Sequence, residues 1–222
     1  RDYYASRGLG DVYKRQIPYM LLITAVLLVM GMTGNEITFI EGVILWILFI
    51  AYLLYLYFLA KKGNDSGDEQ SVKLYPVWKC LLFIVLGGVC VVIGSQLVVN
   101  GATTIARACG MSERFIGLTI VAFGTSLPEL VTSVSAARKG NAGIAIGNIV
   151  GSNIFNILFV IGTVALICPV PFESRFVIDT VVAILCGVLL WGGTIRHKEL
   201  RKPCGVVMLL CYAAYFVYLA AM

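Results

Sequence analysis

Charged side chains are scarce in this sequence, and long stretches contain none. Asp, Glu, Lys and Arg make up 13% of the chain, whereas hydrophobic residues make up 59% and the mean hydropathy is +0.92. A soluble domain carries about a quarter charged residues because its surface must face water. The composition therefore excludes an ordinary soluble domain and indicates a polytopic membrane protein.

Histidine is nearly absent, and the cysteines follow no functional spacing. The one histidine, His197, lies in a basic loop, and the seven cysteines lie mostly inside or beside apolar segments. We interpret these cysteines as packing residues, which excludes a disulfide scaffold and a cysteine metal site. The net charge of +5 comes from loop clusters and not from one basic face, so a nucleic-acid-binding protein is excluded as well.

Seven apolar segments predict an all-α membrane protein with seven transmembrane helices. Most of them reach the ~20 residues that a ~30 Å hydrocarbon core requires of a helix. Residues 1–16 lack hydrophobic periodicity and resemble a translated adaptor, so we expect a non-native or disordered tail there. The predicted spans are Ile17–Met32, Thr38–Ala60, Val77–Ala106, Phe115–Ala137, Ile144–Cys168, Phe176–Thr194 and Val206–Met222.

The basic residues predict the orientation of these spans. With seven spans, twelve Lys and Arg residues fall on the side where the first helix begins and three on the other, leaving out Arg1 and Arg7 of the tail. Loops rich in Lys and Arg stay in the cytoplasm. We therefore expect a cytoplasmic start and a C-terminus outside, in a bacterial inner membrane.

The chain also contains an internal repeat. The residues that begin at Gly42 match those that begin at Gly205, an offset of 163, which relates the second helix to the seventh. An offset of five spans reverses the direction through the membrane, and inverted repeats are typical of secondary transporters. We therefore expect residues 17–60 to end a first repeat, 61–76 to form a cytoplasmic loop and 77–222 to form a second five-helix repeat. The rest of the first repeat would belong to a missing N-terminal half.

The fourth segment carries polar residues that hydropathy does not explain. Glu129 is the one carboxylate near the middle of any predicted span, where a charge indicates function. Pro128 has no backbone N–H and should displace the carbonyl of Gly124. Thr125 and Ser126 lie at helical spacing from Glu129, so their hydroxyls can share its face. Carboxylate, hydroxyl and carbonyl oxygens together predict a site for a hard cation.

The fifth segment adds a second polar stripe. Asn148, Ser152 and Asn156 recur every four residues, and a G-x-x-x-G pattern in the same stretch allows another helix to approach closely. Such residues can line an ion site, or they can form hydrogen bonds between helices and nothing more. For Asn148 or Asn153 taken alone, both interpretations remain open.

Two motifs together resemble a known family. G-T-S-L-P-E-L followed by G-N-I-V-G-S-N-I-F-N is similar to the second α-repeat of the sodium/calcium exchanger family, within the calcium/cation antiporters. The resemblance covers Ile17–Met222 and implies helices four to ten of a ten-helix inverted-repeat fold. It also implies that the long third segment, with its glycines, is the gating helix that slides past the core.

The resemblance implies roles for individual residues. Glu129 would be the central carboxylate, with Ser152 facing it from the next helix and Asn156 beside a cation position. The potassium-dependent branch carries Asp where this chain has Asn156, so we expect no potassium dependence. Backbone or hydroxyl oxygens would come from Ala122, Thr125 and Ser126.

We therefore expect an antiporter that moves Ca²⁺ against Na⁺ across the lipid bilayer, without a cofactor and without enzymatic chemistry. A proton-coupled calcium exchanger is the alternative, because Glu129 could carry protons. A channel is a further alternative. An intramembrane hydrolase using Ser126 or Ser152 would need a base, and His197 lies in a loop.

Overall fold

The computed structural model describes residues 12–64, 76–111, 113–195, 200 and 202–221, and these are almost entirely helical. Three π-helical segments interrupt or extend the α-helices, at Val12–Gln16, Gly117–Val121 and Asn156–Ile161. The two short strands are β1 (Glu36–Ile37) and β2 (Val170–Pro171). The α-helices are α1 (Ile17–Gly34), α2 (Phe39–Asn64), α3 (Val77–Ala108), α4 (Glu113–Ile116), α5 (Ala122–Thr125), α6 (Leu127–Arg138), α7 (Ala142–Phe155), α8 (Gly162–Ile167), α9 (Ser174–Ile195) and α10 (Lys202–Ala221).

Among the described residues, five helices are long and apolar enough to cross a membrane, or six if a bent pair is counted as one span. The bent pair is Thr119–Thr125 with Leu127–Arg138, which together form the predicted fourth span. The last predicted span corresponds to a shorter apolar stretch, Lys202–Tyr218. The prediction of an all-α membrane protein is thus confirmed, while the count of seven spans stays a prediction.

The helical structure begins before the first predicted span. Val12–Gln16 form a π-helical turn that continues into α1, and Val12 is buried in the hydrophobic core. The buried side chain of Val12 anchors this turn. The residues around Val12 are polar, so the sequence does not predict a helical turn there. Residues 1–11 lie outside the described residues, and the expectation of a non-native tail there stays a prediction.

The chain divides into two compact units, and neither coincides with a predicted repeat. One unit comprises Arg1–Ser66 and Ser135–Tyr212, and the other comprises Gly67–Val134 and Ala213–Met222. The predicted division has the end of a first repeat at 17–60, a loop at 61–76 and a second repeat at 77–222. It describes internal symmetry and not compactness, so it stays a prediction. Residues 65–75, most of the predicted loop, lie outside the described residues, and α2 extends to Asn64.

The first unit packs α1, α2, α7, α8 and α9 around one apolar core. On α7, Ile146, Val150 and Ile154 recur every four residues and form a buried stripe. The turn after α1 brings the two strands together, because Asn35 adopts a left-handed conformation with φ of 56°. Glu41 then caps α2, accepting hydrogen bonds from the N–H and hydroxyl of Thr38 at 2.7 and 2.8 Å.

The second unit contains α3 and the broken fourth span. Ala106 is the one buried residue of α3, and the large apolar side chains along most of this 32-residue helix are exposed. In a membrane protein such apolar surface is compatible with lipid. At the C-terminal end of α3, Arg107 donates to Glu113 of α4 through Nε at 2.6 Å and Nη2 at 2.9 Å.

Candidate cation-binding site

The fourth span breaks within its polar motif. The axes of Thr119–Thr125 and Leu127–Arg138 differ by 52°, and Ser126 between them has left the helical conformation, with ψ of 1°. Pro128 explains the break because it cannot donate to the carbonyl of Gly124, its partner in a continuous helix. The predicted weakening of the helix is thus seen as a bend.

The polar groups at the break lie within one turn. The Thr125 hydroxyl donates to the carbonyl of Ala122 at 2.9 Å. The N–H of Ser126 donates to the carbonyl of Phe123 at 3.1 Å, a tighter turn than an α-helix makes. The resulting set of hydroxyl and backbone oxygens, from Ala122, Thr125 and Ser126, can bind a hard cation.

Glu129 lies in the first turn of α6, directly after the break. Its side chain is half-buried, and its Oε2 atom is shielded from solvent. The N-terminal end of a helix carries a partial positive charge, which favours a carboxylate at this position. One turn later the hydroxyl of Thr132 donates to the carbonyl of Pro128 at 2.8 Å. The one carboxylate among the predicted site residues therefore lies where the helix start favours its charge.

The polar stripe of the fifth span lies on α7 and at its end. Asn148 and Ser152 are half-buried on α7, and Asn156 begins the π-helical segment Asn156–Ile161. Ser152 lies two residues after the fully buried Val150, which is about 200° around an α-helix. The stripe thus occupies the face of α7 opposite the apolar core of its own unit.

Part of this stripe is engaged within its own helix. The Ser152 hydroxyl and the Asn153 amide both donate to the carbonyl of Ile149, at 3.0 and 2.8 Å. The side-chain oxygens of Ser152 and Asn153 keep lone pairs that can accept a hydrogen bond or bind a cation. The bond of Asn153 lies within α7 and not between helices, so both interpretations of this residue stay predictions.

Two π-helical segments lie beside the predicted site residues, and the sequence did not predict them. Gly117–Val121 ends immediately before Ala122, and Asn156–Ile161 begins at Asn156. Short π-helical segments are rare and are often found at functional sites, because the wider turn changes which side chains share a face. No residue pattern marks such a turn in the sequence, since it depends on tertiary contacts.

The seven predicted site residues fall into two groups. Ala122, Thr125, Ser126 and Glu129 lie around the break in the second unit, and Asn148, Ser152 and Asn156 lie on the stripe in the first unit. The expectation that both groups bind one ion stays a prediction. Within the described ranges, no three His, Cys, Asp or Glu side chains come together as a metal-binding group.

Comparisons with known proteins place the chain among membrane transporters. Residues 79–221 match the family model described as sodium/calcium exchanger protein. The putative antiporter CaxA of Alkalimonas amylolytica is 34% identical over 212 residues, which cover 91% of this chain and 66% of CaxA. The sodium/calcium exchanger MaX1 of Methanosarcina acetivorans is 38% identical over 142 residues, 64% of this chain and 41% of that protein.

A solved structure supports the same relationship. The sodium/calcium exchanger from Methanococcus jannaschii superposes with a TM-score of 0.75 at 31% identity, over 94% of this chain and 65% of that one. This chain therefore spans about two thirds of the length of CaxA and of the solved exchanger. It is an integral membrane protein, and it belongs to the sodium/calcium exchanger family.

Proposed function

We propose that the protein to which this chain belongs is an antiporter that moves Ca²⁺ across the membrane in exchange for Na⁺. The observation that carries the proposal is the break at Ser126, where the half-buried Glu129 follows the hydroxyl and carbonyl oxygens of Ala122, Thr125 and Ser126 within about two helical turns. A carboxylate inside a membrane span is costly and indicates an ion pathway. MaX1 and the Methanococcus jannaschii protein are both named sodium/calcium exchangers. We carry over Na⁺ and Ca²⁺ to this chain as the exchanged ions.

The residues would act by binding and releasing ions without covalent chemistry. Ca²⁺ takes six to eight oxygen ligands, and the oxygens of Ala122, Thr125, Ser126 and Glu129 are of the type it prefers. Na⁺ is also a hard cation and would compete for the same oxygens, so each ion would displace the other. Ser152 and Asn156 would add oxygens, and the remaining ligands would come from the part of the family fold that this chain does not span. We assign α3 as the helix whose movement exposes the ions to alternate sides.

The membrane topology is part of this proposal. We propose seven spans, helices four to ten of a ten-helix inverted repeat, with the basic loops in the cytoplasm of a bacterial cell and the C-terminus outside. The apolar helices of suitable length and the charge distribution support it. A cysteine-accessibility measurement at Cys109, between α3 and α4, tests it, because labelling from the cytoplasmic side alone would contradict the orientation.

Ion flux in proteoliposomes tests the proposed exchange. The protein expressed from its complete coding sequence should accumulate Ca²⁺ when an outward Na⁺ gradient is imposed, at neutral pH on both sides. Uptake driven by a pH gradient without Na⁺ would instead support a proton-coupled exchanger. Single-channel currents far above antiporter turnover would indicate a channel, and either result would contradict Na⁺ coupling.

A further inference from the structure

The π-helical segment Asn156–Ile161 is packed against aromatic side chains of α2. The ring centroid of Phe159, within the segment, lies 5.2 Å from that of Trp46 and 5.4 Å from that of Phe49. Phe155, the residue before the segment, lies 5.9 Å from Phe49 and stacks on Phe159 at 4.7 Å. Aromatic contacts from α2 therefore hold both the start and the middle of the wide turn.

A hydrogen bond extends this packing to the end of the segment. The indole Nε1–H of Trp46 donates to the hydroxyl of Thr163 at 3.2 Å, across 117 residues of sequence. A Cβ atom on Gly162 would lie 3.2 Å from Cδ1 of Trp46, so the indole sits directly against the backbone that follows the wide turn. Trp46 therefore contacts the middle of the π-helical segment through its ring and the first turn of α8 through its N–H.

The close approach of the two helices depends on paired glycines. A Cβ atom on Gly42 of α2 would lie 3.0 Å from the Cβ of Ala165 and 3.1 Å from the carbonyl of Gly162. Glycine at both 42 and 162 lets the backbones meet, which brings the indole of Trp46 within reach of Thr163. The hydrogen bond is part-buried, and Leu45 and Leu158 of the same unit are fully buried. A hydrogen bond in such surroundings is stronger than one in water.

The width of the turn matters because Asn156 is its first residue. Each residue advances an α-helix by about 100°. If the wide turn changed to α-helical geometry, one flank would therefore rotate against the other by about that angle. With α8 held by Trp46 and Phe159 held by the aromatic cluster, the rotation would fall on the α7 flank and would turn the side chain of Asn156 away from its present direction. Single π-helical turns are rare inside α-helices.

We propose that the hydrogen bond between Trp46 and Thr163, here called the Trp46–Thr163 bridge, maintains the π-helical turn and thereby positions Asn156 for ion binding. Trp46 is thus a positioning residue that acts through Asn156 and touches no ion itself. The consequence for transport rests on the proposed function. The consequence for the backbone of Asn156–Ile161 does not.

Two conservative substitutions isolate the bridge. Trp46→Phe keeps an aromatic ring and removes the N–H donor, and Thr163→Val removes the hydroxyl acceptor at almost constant volume. Trp191→Phe, at a half-buried tryptophan on α9, is the matched control for the first. Thr24→Val is the control for the second, because the Thr24 hydroxyl donates only within α1, to Met20 at 2.7 Å.

Backbone hydrogen exchange tests the bridge independently of transport. In the complete protein in detergent, both bridge variants should speed amide exchange within residues 156–161 by about 2- to 10-fold, the range expected for one lost hydrogen bond. The two control variants should leave these amides unchanged. Exchange in 156–161 that equals wild type in both bridge variants would overturn the proposal, even if their thermal stability has fallen.

Transport then tests the link to Asn156. We expect Trp46→Phe to raise the apparent KM for Ca²⁺ about 2- to 10-fold with little change in maximal rate, and to have no further effect in an Asn156→Ala background. An equal effect in both backgrounds would mean a general structural role and would contradict positioning through Asn156. A wild-type protein that moves no Ca²⁺ against Na⁺ would contradict the proposed function, while hydrogen exchange would still decide whether the bridge maintains the turn.

Discussion

Val99 of α3 lies against Gly124 at the break in the fourth span and leaves no space there for a Cβ atom. Gly124 is buried, and its carbonyl is the one to which Pro128 cannot donate. One turn along α3 from Val99, the enclosed hydroxyl of Thr103 has no hydrogen-bond partner among the described residues. The helix that we assign as the moving one thus contacts the candidate site where the backbone is irregular.

Gly124→Ala should therefore impair transport, and Val99→Ala should restore it in the same protein. An added Cβ atom must push α3 or the break aside, and overpacking costs ~1–3 kcal/mol. We expect Ca²⁺ uptake by Gly124→Ala to fall at least severalfold and to recover substantially in the double variant. Gly192→Ala, in an open position on α9, is the control. A double variant no better than Gly124→Ala would show that the Val99 contact is not the cause.

Ser126→Ala and Ser152→Ala should weaken Ca²⁺ affinity more than they lower protein abundance. Each substitution removes one candidate ligand oxygen and very little volume. Thr180→Val is the comparison, because that hydroxyl donates within its own helix to Phe176 at 2.6 Å. Initial uptake rates across a Ca²⁺ series, normalised to folded protein, measure the effect. Loss of activity in proportion to folded protein would make these hydroxyls packing groups.

Asn156→Asp should change ion selectivity and not simply inactivate the transporter. The substitution adds a negative charge with almost no change in shape, at the first residue of the π-helical segment. An added carboxylate should recruit a further monovalent cation, by family resemblance K⁺. Na⁺-driven Ca²⁺ flux is measured with and without K⁺ and across a pH series. In the variant, this flux should become sensitive to K⁺ or to pH. Wild-type responses to both variables would place Asn156 outside the ion pathway.

The ion pair between Arg107 and Glu113 should make a small, pH-dependent contribution to stability. Hydrogen bonding to Arg107 lowers the pKa of Glu113, with the Arg107 charge adding to the effect. The contribution is therefore present above the ordinary carboxyl pKa of about 4.3 and is lost as the pH falls through the lowered value. Both side chains are exposed, so solvent screening keeps the effect small.

Thermal unfolding of wild type and Glu113→Gln measures that contribution. Wild type should unfold at a slightly higher temperature near pH 7, and the difference should shrink as the pH is lowered into the acid range. A difference that grows as the pH falls would have the wrong sign and would contradict the assignment.

Much of the candidate site was predictable because its causes are local. The missing N–H of Pro128 weakens the helix wherever the residue occurs, and the four-residue spacing of Asn148, Ser152 and Asn156 fixes a common face on α7. The helix α3 begins at Val77, where the predicted apolar span also begins. Such features need no knowledge of the rest of the chain.

The remainder depends on partners that are distant in sequence. The π-helical turn at Asn156–Ile161 packs against Trp46, more than 100 residues earlier, and no local pattern signals it. The polar residues before Ile17 predict a tail. Val12 among them is nevertheless buried in the core. Both features arise from tertiary packing that overrides local sequence.

The comparison of wild type with Glu129→Gln tests the central claim most directly. Both proteins, expressed from the complete coding sequence, are reconstituted at equal density into Na⁺-loaded liposomes, and Ca²⁺ uptake is followed after dilution into Na⁺-free buffer. Glu36→Gln, an exposed carboxylate on β1, is the control. Wild type and the control should accumulate Ca²⁺, and Glu129→Gln should lose this uptake while inserting normally. Near-normal uptake by Glu129→Gln would contradict its role as the central ion-binding carboxylate.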